Sequence, residues 1–181
     1  MKSNRLLVVF IFLLSLFSCA RFFNKTAFDY SNKDLSKKDY SSSKLNGTKF
    51  VNSDLSNSIF IDSKLNGADF TNADLSFAAM NGADLRKSVF KDAELFNVNF
   101  ADSNLQGIDF SGLNLSNSDF SSADLRGAKF KNANLQGAIF NGADLRKADF
   151  TGAVVELNQL FNGRNLDGAK MPEGTIYRSK K

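Results

Sequence analysis

A large apolar residue stands at every multiple of five from Leu35 to Phe150. The odd multiples carry leucine twelve times in succession, from Leu35 to Leu145. The even multiples from Tyr40 carry Tyr40, Met80 and ten phenylalanines. Two residues before each large residue the chain is small, as at Ser53, Ser58, Ala68, Ala73, Ala83 and Ala123. One before, it is mostly Asp or Asn; two after, it is mostly Gly or Asn, and nine of the twelve glycines fall in that slot. A helix repeats at 3.6 residues and a strand at 2, so neither fits a strict period of five. The pattern predicts a solenoid in which each unit forms one side of a stacked coil.

Each slot has a physical reading. The large residue points inward and fills the core, and the small residue two before it also faces in, where no room is left. The Gly/Asn slot marks a corner, because those residues tolerate φ > 0. The alternation of Leu and Phe requires an even number of sides if like is to stack on like. Two sides are too flat to hold phenylalanines. Four sides give a coil of 20 residues, with columns such as Leu55-Leu75-Leu95-Leu115-Leu135 and Phe50-Phe70-Phe90-Phe110-Phe130-Phe150.

At this point the chain resembles the pentapeptide-repeat family, whose unit reads A-(D/N)-L-x-x. Ala83-Asp84-Leu85-Arg86-Lys87 and Ala133-Asn134-Leu135-Gln136-Gly137 carry the likeness most clearly, and it extends over residues 30–160. The resemblance implies an all-β fold, a right-handed quadrilateral β-helix of about seven coils. At about 4.8 Å per coil the rod is roughly 30 Å long. Two departures from the pattern matter. Val98, Ile108 and Leu113 enlarge the small slot, which predicts a wider or distorted coil between 96 and 115. Lys33 and Lys38 occupy the same slot at the start, where a lysine must reach outward near an open end; the regularity of the first coil (30–49) stays open. After Leu160 the beat restarts one residue late at Leu166 and Met171, so 161–181 reads as a C-terminal cap and tail, with a short capping helix expected over 154–161.

The first 29 residues break the pattern. Lys2 and Arg5 precede an apolar run from Leu6 to Phe17, interrupted only by Ser15. This run falls short of the roughly 20 residues that span a bilayer and reads as the core of a signal peptide. Leu16-Phe17-Ser18-Cys19 resembles a bacterial lipobox, with Phe17 bulkier than the position usually carries. The resemblance implies a signal peptide over 1–18, lipid attached to Cys19, and a tether over 19–29. Two or three acyl chains hold a protein on a membrane stably where one does not. Ala20 lacks the aspartate that retains lipoproteins at the inner membrane in some bacteria, which points to the outer membrane or cell surface of the envelope.

Composition narrows the chemistry. The chain has no His or Trp, and Cys19 is the only cysteine. That removes imidazole catalysis, internal disulfides and Cys/His zinc sites. Residues 30–160 hold 14 Lys/Arg against 16 Asp/Glu, a balance of 14 − 16 = −2 that suits no broad nucleic-acid surface. Asp34, Asp54, Asp74 and Glu94 form one column, read as solvated carboxylates bonding nearby amides rather than as a metal site. Asp84-Arg86, Asp124-Arg126 and Asp144-Arg146 read as a surface ion-pair ladder. No catalytic or metal site, cofactor or small-molecule substrate is expected. Phe77 and Phe96, at solvent positions of adjacent coils, are the candidate protein contact. Together these features describe a non-catalytic, membrane-anchored bacterial lipoprotein whose rigid rod is a structural or interaction scaffold for a partner not yet known. The alternative, a DNA-mimicking rod that inhibits a topoisomerase, belongs to a cytoplasmic, acidic chain.

Overall fold

The computed structural model describes residues 27–178. The expected signal peptide (1–18), Cys19 and the tether as far as residue 26 lie outside the described residues. From residue 28 onward the chain winds with a period of twenty. Parallel one-residue bridges join each position to the one twenty further on, as in Asp29↔Lys49, Lys49↔Asp69 and Asp69↔Val89. Each side contributes a single bridged residue rather than an extended strand. The reason is arithmetic: the corner consumes two of the five residues, leaving three to lie flat.

The corner forms as the Gly/Asn slot predicts. The N–H two before each large residue donates back to the carbonyl of the preceding one, as in Ala68 N to Leu65 O at 2.8 Å. The third residue of that turn has φ > 0, as a type II turn requires. Gly67 sits there at +70°, and Asn52 and Asn72 at +56° and +55°. The Asp/Asn slot has a distinct task. Just past the large residue an N–H points outward, and the Asp or Asn two before it accepts its bond. Ser36 N bonds Asp34 Oδ1 at 3.0 Å, Ser56 N bonds Asp54 Oδ1 at 2.9 Å, and Ser76 N bonds Asp74 Oδ1 at 2.8 Å. Inward serines return their hydroxyls to the backbone, as in Ser53 Oγ to Phe50 O at 2.5 Å.

The core is the stack of large residues. Phenylalanines one coil apart stack face to face: Phe50–Phe70 at 5.1 Å, Phe120–Phe140 at 5.2 Å, Phe130–Phe150 at 5.0 Å. The two columns meet edge to face, as in Phe130–Phe140 at 6.1 Å and 88°. Both arrangements suit the ring quadrupole. The first coil keeps the ladder, with Tyr30 N bonded to Lys49 O at 2.8 Å and Tyr40 N to Ile59 O at 2.7 Å. Lys33 and Lys38 are exposed, and the Lys33 ammonium lies 5.5 Å from the centre of the Tyr30 ring.

Below the C-terminal helix the ladder opens at one place. Six inter-coil bonds that the adjoining coils make are absent, those of the N–H groups of Lys87, Phe90, Asp92, Leu95, Asp109 and Asn114. The bridges 89↔109 and 94↔114 are missing with them. The opening therefore separates 87–95 from 106–114 on two adjacent sides, and the coil stays bonded on the other two. Ile108 and Leu113 are the inward residues of those two sides, where the coils above and below carry Ala or Ser. Their extra carbons hold the backbones apart. Val98 acts on a third side more locally. Its turn bond to Leu95 O is lost, and the Ser118 hydroxyl inserts instead, donating to Leu95 O at 2.9 Å and accepting from Val98 N at 3.2 Å. The distortion expected within 96–115 is thus shared with the preceding coil.

The C-terminal end is closed in two steps. Helix α1 (Leu157–Phe161) replaces the third side of the last coil and is shorter than the 154–161 expected. Its fully buried Leu160 continues the Phe100-Phe120-Phe140 column. The Gln159 amide donates to Leu135 O and to Ala138 O, the second a carbonyl that the helix would otherwise leave without a partner. The ladder then resumes one residue late, with Leu145 N bonded to Asn165 O and Phe150 N to Lys170 O, both at 2.8 Å. Finally Lys170 pairs antiparallel with Ile176, and Tyr177 N bonds Ala169 O, covering the last edge of that side. Covering it removes a template for edge pairing.

If inward volume opens the ladder, an Ile108→Ala/Leu113→Ala chain closes it. Amide hydrogen exchange in the natural chain is expected to be fastest, within the rod, at Phe90, Asp92, Leu95, Asp109 and Asn114. The double variant is expected to slow these amides at least about tenfold relative to their neighbours. Unchanged exchange there assigns the opening to another cause.

Candidate functional site

The four faces of the rod differ in charge, and the difference follows from which columns hold which residues. The fourth face carries Lys44, Lys64, Arg86, Lys87, Arg126, Arg146 and Lys147 against Asp84, Asp124 and Asp144. The opposite, second face carries Asp34, Asp54, Asp74 and Glu94, and above the first coil it has no Lys or Arg. The rod is therefore not uniformly acidic.

On the fourth face the expected Asp–Arg pairs all form. Arg86 Nη2 lies 2.8 Å from Asp84 Oδ2, and Arg126 Nη2 lies 2.7 Å from Asp124 Oδ2. Asp144 is held by Arg146 and, at 3.4 Å, by Arg164 from the cap. The hydrogen bond from Arg146 leads the causes that hold the Asp144 carboxyl below the usual range, against its burial. The first face has a second network at the same end, in which Lys170 and Lys131 reach Asp149 at 3.3 and 3.6 Å. Burial raises the Asp149 pKa, but the Thr151 and Lys170 hydrogen bonds outweigh it and leave it at about 2. These pairs join the cap to the coil beneath it.

On the second face the acidic column is built by direct bridges, Asp34↔Asp54, Asp54↔Asp74 and Asp74↔Glu94. Among the described residues, none of these four carboxylates meets a Lys or Arg within ion-pair distance. In the three aspartates one oxygen serves the turn and the other faces solvent. Among the described residues, no group of three or more His, Cys, Asp or Glu is arranged to hold a metal.

Phe77 and Phe96 lie at the corner between the second and third faces. Their rings meet edge to face at 5.3 Å and 80°. Phe77 is 51 % exposed, and Phe96 is half-buried. Phe77 also has φ +62°, the left-handed conformation of its slot. It is the only aromatic among the positive-φ residues described, which are otherwise Gly, Asn, Asp, Ser and Lys. A bulky side chain at φ > 0 is an outlier that costs on the order of 1–3 kcal/mol. The signal was readable in the sequence: Phe77 stands two residues after Leu75, where Gly or Asn is the rule. Beyond the corner, Ile59, Ile61, Ala79 and Ala101 continue as half-buried surface.

Two clefts mark the surface of the described residues. One of about 490 Å³ lies at the opened ladder between Ser88–Asp92 and Asp109–Leu113. The other, of about 600 Å³, lies between α1 and the coil at Gln136–Asn141. Among the described residues no helix is long and apolar enough to cross a membrane.

Comparison with known proteins gives a consistent picture. A family model described as a pentapeptide repeat region matches residues 68–150 and 93–171. A second, described as pentapeptide repeats (8 copies), matches residues 41–76. Among curated proteins none matches. Among solved structures, HetL from the cyanobacterium Nostoc sp. strain PCC 7120, a pentapeptide repeat protein involved in heterocyst differentiation regulation, is 27% identical. The match covers 82% of this chain and 78% of HetL, with a TM-score of 0.40. A pentapeptide repeat protein from the Arabidopsis thaliana thylakoid lumen is 28% identical, covering 80% of this chain and 83% of its own, with a TM-score of 0.33. QnrB1, a plasmid-mediated fluoroquinolone resistance protein, is 21% identical over 70% of this chain and 79% of its own, with a TM-score of 0.44.

Two outcomes test the energetics. The Asp149 pKa lies below its ordinary 3.8, so its stabilisation is present above that value and is lost as pH falls through about 2. Thermal melts between pH 6 and pH 2 are expected to show a smaller loss of Tm in Asp149→Asn than in the natural chain. For Phe77→Asn, relief of the strained φ offsets the lost ring pair. Its stability is expected to stay within about 0.5 kcal/mol of the natural chain or to rise, whereas Phe120→Ala costs about 3–5 kcal/mol. Denaturant unfolding reads both.

Proposed function

The chain belongs to the pentapeptide-repeat family, and from that premise we propose that it is a non-catalytic lipoprotein of a bacterial cell envelope, its rigid rod acting as a structural or protein-interaction scaffold. We take the rod to be the family's right-handed quadrilateral β-helix of about seven coils. The observation that carries the scaffold reading is the filled interior. From Leu45 to Phe150 every residue at a multiple of five is buried against its neighbours, so function falls to the outer faces. Among the described residues the inward positions are filled by packed side chains, and the chain has no imidazole and no second thiol.

The anchor reading rests on Leu16-Phe17-Ser18-Cys19 at the end of the apolar run. Cleavage before Cys19 leaves a short tether, and lipid on the cysteine holds the rod at the membrane, in the outer membrane or at the surface in preference to the inner membrane. Phe77 and Phe96 are the protein contact in this reading. They support it by being exposed, paired and, at Phe77, strained, costs that a free surface gives no reason to bear.

Metabolic labelling with palmitate tests the anchor. The natural chain is expected to incorporate label, to fractionate with membranes and to accumulate as a larger precursor under globomycin. Cys19→Ser is expected to lose label and membrane association. A soluble natural product of unchanged mass would overturn the reading.

A further inference from the structure

We propose that the Phe77–Phe96 corner and the acidic column beside it form a docking surface for a short basic segment of a partner protein, one with an apolar side chain flanked by Lys or Arg. The inference rests on reading Phe77 and Phe96 as a protein contact, and it names the chemistry of what they contact.

Three observations converge. First, the aromatic pair is apolar surface held at a local cost, in an outlier conformation and half in water. Burying it under an apolar side chain recovers area that the free protein leaves wet. Second, Asp54, Asp74 and Glu94 climb the same face in direct register and end beside the rings, Glu94 two residues from Phe96 and Asp74 three from Phe77. At about 4.8 Å per coil they place three negative charges within roughly 10 Å. Other carboxylates of the rod, Asp84, Asp109, Asp124, Asp144 and Asp149, are answered by Lys or Arg. Among the described residues these three, like Asp62, Asp69, Asp92 and Asp102, make no ion pair, and they stand in one column beside the rings. Third, the rod is polarised. The opposite face carries seven basic residues against three acidic ones, so it repels the segment that this face attracts. Complementary charge of this kind sets orientation and on-rate, and a central aromatic anchor sets the off-rate.

The opposing charges also separate this surface from a general polyanion. A basic segment without an apolar residue gains only screened, exposed ion pairs, each worth little. An apolar segment without cations gains only the rings. The geometry selects for both together.

The test uses the full chain in neutral detergent. The probe is a fluorescein-labelled peptide of alternating Lys and Leu around one central Phe, with a Glu-for-Lys counterpart. Fluorescence anisotropy is expected to show binding of the basic peptide only, weakened several-fold when salt rises from about 0.05 to about 0.3 M. Phe77→Asn is expected to weaken it about tenfold or more. So is Asp54→Asn/Asp74→Asn/Glu94→Gln, in which each Asn keeps the acceptor for the Ser56 and Ser76 amides. Asp119→Asn, on the third face, serves as the control and is expected to change nothing. If Phe77→Asn weakens binding and the charge-neutralised chain does not, the contact stands and the basic partner class is overturned. If neither variant weakens it, the contact reading falls as well. Binding that appears only after Arg21→Ser/Lys25→Ser gives the surface to this chain's own N-terminal segment and overturns the proposal. So does a dimer, seen by sedimentation, that Phe77→Asn dissolves.

Discussion

Backbone pairing and ring stacking demand almost the same spacing, and the rest of the rod follows from that agreement. Paired chains sit about 4.8 Å apart, and aromatic rings stack comfortably at about 5 Å. The phenylalanine columns hold 5.0–5.4 Å, so core and ladder relax together instead of competing. Nothing else in the coil can be large. Once the centre of each side is a ring or a leucine, its inward neighbour must be Ala or Ser, the corner must accept φ > 0, and the amide that enters the corner needs the Asp or Asn two residues back. The five-residue beat is the shortest statement of these conditions.

The opened ladder shows the same constraint from the other side. Ile108 and Leu113 add a few carbons each in slots meant for a methyl group, and the backbone yields where the rings do not. Phe90 and Phe110 remain 5.3 Å apart, tilted by 35°, while six hydrogen bonds on their outer side are lost. Overpacking by a few carbons thus costs the peripheral ladder, because the stacked core is the stiffer element.

Much of this was legible in the sequence because solenoid positions are local. Inward, corner and outward roles are read five residues at a time, and the misfit at Val98, Ile108 and Leu113 is visible as size in the wrong slot. What escaped was relational. The sequence located the oversized residues but not which neighbouring coil would part from them, since that depends on the relative stiffness of two interfaces. The helix was expected over 154–161 and forms over 157–161, because Val154 still bridges Asn134. The closing pairing of Lys170 with Ile176 had its signal in Pro172-Glu173-Gly174, a turn outside the repeat. At the candidate contact, Phe77 and Phe96 were legible as outward residues. The acidic column was legible as well, from the twenty-residue period, but its place beside the two rings and across the rod from the basic face depends on how the corners turn in space.

In a stacked chain each coil is coupled only to its nearest neighbours, so the weakest junction decides whether the molecule melts as one body. Here that junction lies between the coils containing Phe90 and Phe110, bonded on two sides out of four. The coils up to Phe90 and those from Phe110 to the C-terminal cap are therefore expected to unfold as two blocks joined by a softened seam. The block that carries the acid column and the aromatic corner lies next to the residues where the chain is read as anchored. The block closed by α1 and the Asp144 and Asp149 pairs lies beyond it. A fluctuation that loosens the far block need not disturb the near one.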